Sequence, residues 1–154
     1  MSQTNTLPMT QPPRGFRPVP SADDRQILQR QAFSFTKMSI LDTFIIRTSR
    51  DTLTDDELRH FSAQAMLTAR KHKHFLPCGF FSALVTYPVV YLDTVEPELI
   101  AFIEGYAPKH YSAFEFPVVA ERSTSTLYFY QGTPVWGALY YRGFRTEAQE
   151  LIDF

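Results

Sequence analysis

The chain has 154 residues, with 15 Lys and Arg against 16 Asp and Glu and a formal net charge of -1, so no global basic field exists to hold a nucleic-acid backbone. Its 44% hydrophobic and 15% aromatic content is too apolar for a disordered chain and enough for one sizeable core. The only cysteine, Cys78, excludes an intramolecular disulfide framework.

Residues 1–20 carry five prolines (Pro8, Pro12, Pro13, Pro18 and Pro20) and few large apolar side chains, which reads as a flexible Pro-rich tail. The Pro and Arg content of residues 12–20 also suits a polyproline-II ligand, although such composition is common in tails that bind nothing. No basic start followed by an apolar core opens the chain, so a secretory signal is not expected. A single domain is expected over residues 21–154.

Ser21 can cap a short helix to about Gln31, with Asp23 and Asp24 in its first turn. Residues 33–48 then shift towards period two, with Phe33 and Phe35 on one face and Ile40, Phe44 and Ile46 on a shared face further along, which predicts a strand. Thr54 and Glu57 form a capping box, in which each satisfies the other's unpaired backbone N–H. Behind it Leu58, Phe61, Ala65, Met66 and Ala69 make one helical stripe, and the basic run from Arg70 to His74 closes the helix near Pro77 and Gly79.

The apolar run at residues 80–92 predicts a strand, with Pro88 implying a bulge or an edge. It is broken by Ser82, Thr86 and Pro88 and is too short to span a bilayer, so no membrane is expected and the location is read as cytoplasmic. Asp93 or Thr94 begins a helix with Pro97 in its first turn and Leu99, Phe102, Ile103 and Tyr106 on its buried face. Residues 112–121, 126–131 and 135–142 read as a three-stranded antiparallel meander, and Thr146 with Gln149 as a weaker capping box for a short terminal helix. The expected fold class is therefore α+β, with a mixed or mainly antiparallel sheet of about five strands and three to four helices.

Alternation along the meander separates two faces. Phe114, Phe116, Val118, Leu127, Phe129, Val135, Leu139 and Tyr141 form the core side. Glu115, Glu121, Tyr128, Tyr130, Trp136, Tyr140 and Arg142 form the other. Large rings with polar tips are over-represented where one protein buries surface against another. The same rings also pack well under a monomer's own helices.

Catalytic signals are sparse. His72 and His74, with Cys78 and His60, offer an incomplete zinc set on poor helical spacing, so no metal or other cofactor is expected. Cys78 beside His74 or His110 has the elements of an activated nucleophile, yet a lone cysteine is more often a small buried apolar side chain. The functional expectation is a non-enzymatic binding or adaptor protein. It would dock a protein partner or a second copy of itself through Tyr128, Tyr130, Trp136, Tyr140, Arg142 and Glu115. The alternative is a small-molecule-binding protein or enzyme with a pocket between sheet and helix, using Arg142, Tyr128 and Glu115 as its polar groups. Nucleic acid is not an expected partner.

Overall fold

A computed structural model describes residue 7 and residues 11–35, 38–74, 81–110, 113–133 and 138–154. The architecture is α+β: among the described residues there are three helices and one mixed sheet of eight strands, against the roughly five expected.

Four of the strands come before residue 93. They are β1 (Arg17–Val19), β2 (Gln26–Ser34), β3 (Ser39–Ser49) and, after the first helix, β4 (Ser82–Leu92). β1 pairs antiparallel with β2 and β2 with β3, while β3 and β4 run parallel. The helix expected over residues 21–31 is therefore absent. Asp23 accepts from the Ser21 hydroxyl at 2.7 Å and from the Arg25 backbone N–H at 3.1 Å, which closes a side-chain turn. The same residue types that cap helices also make such turns. The single strand read over residues 33–48 is a hairpin, with Phe33 opposite Ile40 and Ser34 opposite Ser39.

The expected tail also gives way before Pro20. Phe16 donates its N–H to the Pro13 carbonyl at 2.9 Å, across Gly15 at φ +84. That left-handed value suits the third position of a type II turn and favours glycine. Phe16 is buried, with the Arg30 guanidinium 4.7 Å above its ring. The strand that follows has Pro18 at its centre.

Helix α1 (Asp55–His72) begins where expected, and both halves of the Thr54–Glu57 capping box form. It returns the chain from the end of β3 to the start of β4, a crossover that parallel pairing requires. Helix α2 (Pro97–Gly105) follows β4 with Pro97 in its first turn. Then come β5 (Lys109–His110), β6 (Ala113–Glu115), β7 (Val118–Glu121) and β8 (Thr126–Phe129). β6 and β7 both run parallel to β4, one after the other, while β5 pairs with β6 and β8 with β7 as antiparallel partners.

Pro88 lies inside β4, a central strand rather than the edge that a proline suggests. Thr86 and Leu92 accept from Phe116 and Arg122 on the β6–β7 side, each at 2.9 Å. Pro88 shares their parity and so turns its missing donor to that side too. There the neighbour is itself interrupted, between Glu115 and Val118, where Pro117 stands. One proline faces the break that holds the other, and no ladder donor is orphaned.

The third meander strand does not form from Ala138 onward, and residues 135–137 lie outside the described residues. Helix α3 (Ala138–Leu151) takes up the rest of that stretch, with Tyr141, Phe144, Ala148 and Ile152 buried together against the sheet. Those four recur at intervals of three and four, the helical period. Thr146 is not a cap, since its hydroxyl donates back to the Arg142 carbonyl at 3.2 Å. Of the expected core-side residues, Val135 lies outside the described residues, as does the side chain of Leu139.

Helices thus cover both sheet faces. α3 packs over Leu28, Ile45, Val85, Tyr87, Val89, Tyr91 and Val118. α1 covers Ile27, Phe44, Ile46 and Leu84, and together with α2 covers Val90, Leu92 and Val119. No described helix is long and apolar enough to cross a membrane.

Candidate functional site

Parallel strands point their carboxyl ends the same way, and the loops there leave a crevice that α/β sheets commonly use for ligands. In this chain β3 and β4 end together, with Ser49 opposite Tyr91. A cleft of about 540 Å³ opens at that end. Its floor is Thr48 of β3 and Val90 of β4. One wall is the first half of α1, which presents Asp56, His60 and Gln64 at four-residue spacing, with Glu57 and Phe61 beside them. The facing wall is the β1–β2 connection, Asp23 to Arg25, continued by Arg50, Thr52 and Leu53.

Two ion pairs order the facing wall. Arg25 donates from Nε to Asp23 at 2.7 Å, and Arg50 to Asp24 at 3.0 Å. The Arg25 hydrogen bond, reinforced by Ser21, holds the Asp23 carboxyl well below the usual carboxylate range. Glu57 is held low by the Thr54 backbone N–H and then by the Thr54 hydroxyl. Four carboxylates (Asp23, Asp24, Asp56 and Glu57) thus face two guanidinium groups in the cleft. With both arginines paired, the surplus negative charge belongs to Asp56 and Glu57. His60 is exposed on the same wall.

The floor carries an unusual polar group. Thr48 is 0% exposed, and its hydroxyl has no hydrogen-bond partner among the described residues. A buried hydroxyl left unpaired costs about 1–3 kcal/mol. This one lies in the floor of an open cleft but is sealed from it at 0% exposure.

Of the six residues singled out from the sequence, the five that are described do not gather. Tyr128 lies on the α2 side of the sheet and donates to Glu121 at 3.2 Å, its hydroxyl pKa raised by burial and then by that carboxylate. Tyr130 lies on the α3 side, its ring 5.3 Å from Tyr141. Tyr140 rests against Phe114 at 5.2 Å, and Arg142 is exposed on α3, lining a shallow groove with Arg30, Glu147 and Glu150. Trp136 lies outside the described residues. Glu115 is not on an outer face at all. It is buried under α1, accepting from the Ser62 hydroxyl and pairing with His110 Nε2 at 2.6 Å. The common aromatic face required three strands, and from Ala138 onward the third is a helix.

The hollow between sheet and helix described above is lined by none of Arg142, Tyr128 and Glu115. Ser62, Glu115 and His110 resemble a hydrolytic set only in composition. The carboxylate stands between serine and histidine, so the imidazole does not reach the hydroxyl, and Ser62 is fully buried.

The histidines also part company. His60 lies in the cleft wall, whereas His72 is twelve residues on, roughly 18 Å along the helix axis. His74 pairs with the buried Asp42, which also accepts from Gln31 at 3.2 Å. Cys78 lies outside the described residues. Among the described residues no three His, Cys, Asp or Glu side chains come together as a metal ion needs.

Sequence reasoning missed Thr48, Asp24, Arg50 and Asp56. One available signal was positional: a capping box directly after a strand places a helix start, and a crevice, at that strand's carboxyl end. No family model, curated protein or solved structure matches the chain.

Proposed function

We propose that this protein binds a small polar molecule carrying positive charge, seated in the cleft at the carboxyl ends of β3 and β4. The carrying observation is the buried, unpartnered Thr48 hydroxyl on the cleft floor. A small rotation of the Thr48 side chain into the cleft would let a ligand oxygen or nitrogen complete its hydrogen bonding, and the surplus carboxylates Asp56 and Glu57 set the sign of the ligand's charge. The volume lies within the range usual for small-molecule sites. Arg25 and Arg50 hold Asp23 and Asp24 in place, so that wall is ordered before the ligand arrives.

Thermal unfolding of the full chain tests this, with spermidine as the cationic probe and citrate as an anionic one. Spermidine is expected to raise Tm and citrate to leave it unchanged. Binding restricted to the native state at a hundredfold excess over Kd adds about 2.7 kcal/mol. Thr48→Val and Asp56→Asn are each expected to shrink the spermidine shift. A shift equal for both probes, or one that survives both substitutions, sinks the proposal.

A further inference from the structure

The opposite end of the sheet, where β3 and β4 begin, has a different character. The tip of the β2–β3 hairpin exposes Phe33, Phe35 and Met38, the Phe35 side chain at 83%. Phe33 and Phe35 stand edge to face with ring centroids 5.0 Å apart, and neither packs into the core. Beside the tip, Phe81 is 71% exposed, and its carbonyl accepts from the Ile40 N–H at 2.9 Å. Four large apolar side chains thus share one end of the molecule, where isolated exposed residues are the norm for a soluble surface.

Charge sorts along the same axis. α1 runs back along the sheet, so its last turn, with Arg70, Lys71 and His72, lies towards the hairpin end. Lys109 of β5 lies at that end also, because β6, its partner, pairs with β4 near the start of that strand. The far end carries Asp24, Asp56 and Glu57 of the cleft, and Glu96 and Glu98 next to them. The molecule is therefore polar end to end, cationic where its aromatic side chains are exposed and acidic where its cleft opens.

We propose that the hairpin end docks on an anionic lipid surface, with Phe33, Phe35, Met38 and Phe81 set among the headgroups and the cations of α1 beside them. Exposed apolar side chains at this end enter the interface without unpacking the core, and a basic collar matches the negative potential of such a surface. The acidic end is repelled, so the molecule stands with its cleft facing away from the lipid. This contact lies on the surface and needs no spanning segment. It is independent of the cleft.

Co-sedimentation of the full chain with vesicles tests it. The protein is expected to pellet with phosphatidylcholine vesicles containing phosphatidylserine, to stay in solution with phosphatidylcholine alone, and to be released by salt. Arg70→Gln and Lys71→Gln are expected to weaken binding about fivefold each. Phe35→Ser, which changes no charge and touches no buried group, is expected to weaken it also. Failure of the wild-type protein to pellet with the anionic vesicles at low salt overturns the proposal. So does equal binding by Phe35→Ser, or a dimer that Phe35→Ser dissolves in the absence of any lipid binding, which would assign the patch to a second copy of the chain.

Discussion

Arg47 and Asp153 stand 106 positions apart in the chain, yet their side chains meet at 3.2 Å. The arginine is 1% exposed and also donates to the Leu151 carbonyl at 3.4 Å, while Tyr91 donates to the Asp153 carbonyl at 2.7 Å. A buried cation from β3 thereby holds the chain just beyond α3, where helix carbonyls lack intrahelical partners.

Removing only one member of this pair leaves the other poorly satisfied. Asp153→Ala is expected to lower unfolding stability by about 1–3 kcal/mol, since Arg47 stays buried with one partner fewer. Arg47→Met, of similar volume, is expected to cost less, because no charge then remains in the core. Urea unfolding midpoints at unchanged m-value measure both, and a larger loss in Arg47→Met reverses the expected order.

Thr48→Val separates stability from binding. The substitution keeps shape and removes the unpartnered hydroxyl, so the free protein is expected to gain about 1 kcal/mol or more. The same variant is expected to lose the spermidine response. A variant that is both less stable and still responsive contradicts the role given to this side chain.

Alkaline pH is expected to weaken the fold. Burial pushes the Tyr91 and Tyr141 hydroxyls from an ordinary value of 10.0 up to about 12. Tyr87 is pushed up as well, by burial and then by Glu147, to which it donates at 3.0 Å. A phenol with a raised native pKa keeps its proton when the unfolded chain has lost it. The stability held by Tyr91 and Tyr141 is then complete below about pH 10 and falls as pH rises towards about 12. Tyr91→Phe is expected to flatten part of this fall, which denaturant titrations across that window would record.

Thr54→Ala is expected to cost about 1 kcal/mol by removing the hydroxyl that accepts from the Glu57 N–H, while the residue 54 N–H keeps its bond to the Glu57 carboxylate. Its effect belongs to α1, so far-ultraviolet circular dichroism at the unfolding midpoint should shift with global stability. Thr54→Ser is expected to restore most of the loss.

What could be read from the sequence was what depends on neighbours in the chain. Thr54 and Glu57 satisfy each other across three residues, so α1 was legible without any tertiary knowledge. The Ser21–Asp23–Asp24 group misled because capping a helix and closing a turn use the same short-range hydrogen bonds. Only the pairing of Ile27 with Ile46 decides between them. In the last helix two periods overlap: alternation over residues 135–142 suggests a strand, while Tyr141, Phe144, Ala148 and Ile152 mark a helix. The cleft was illegible for a further reason. Its polar groups come from the β1–β2 connection, the end of β3 and the first half of α1. A threonine at a strand's end, moreover, carries no mark that its hydroxyl will lack a partner.

β1, three residues long with a proline at its centre, guards one side of the sheet. A stray strand seeking to extend the ladder over Ile27 to Gln29 of β2 meets a short lip that lacks a central amide. Growth by strand addition is thereby discouraged at that rim, and association between copies is steered towards side-chain surfaces instead.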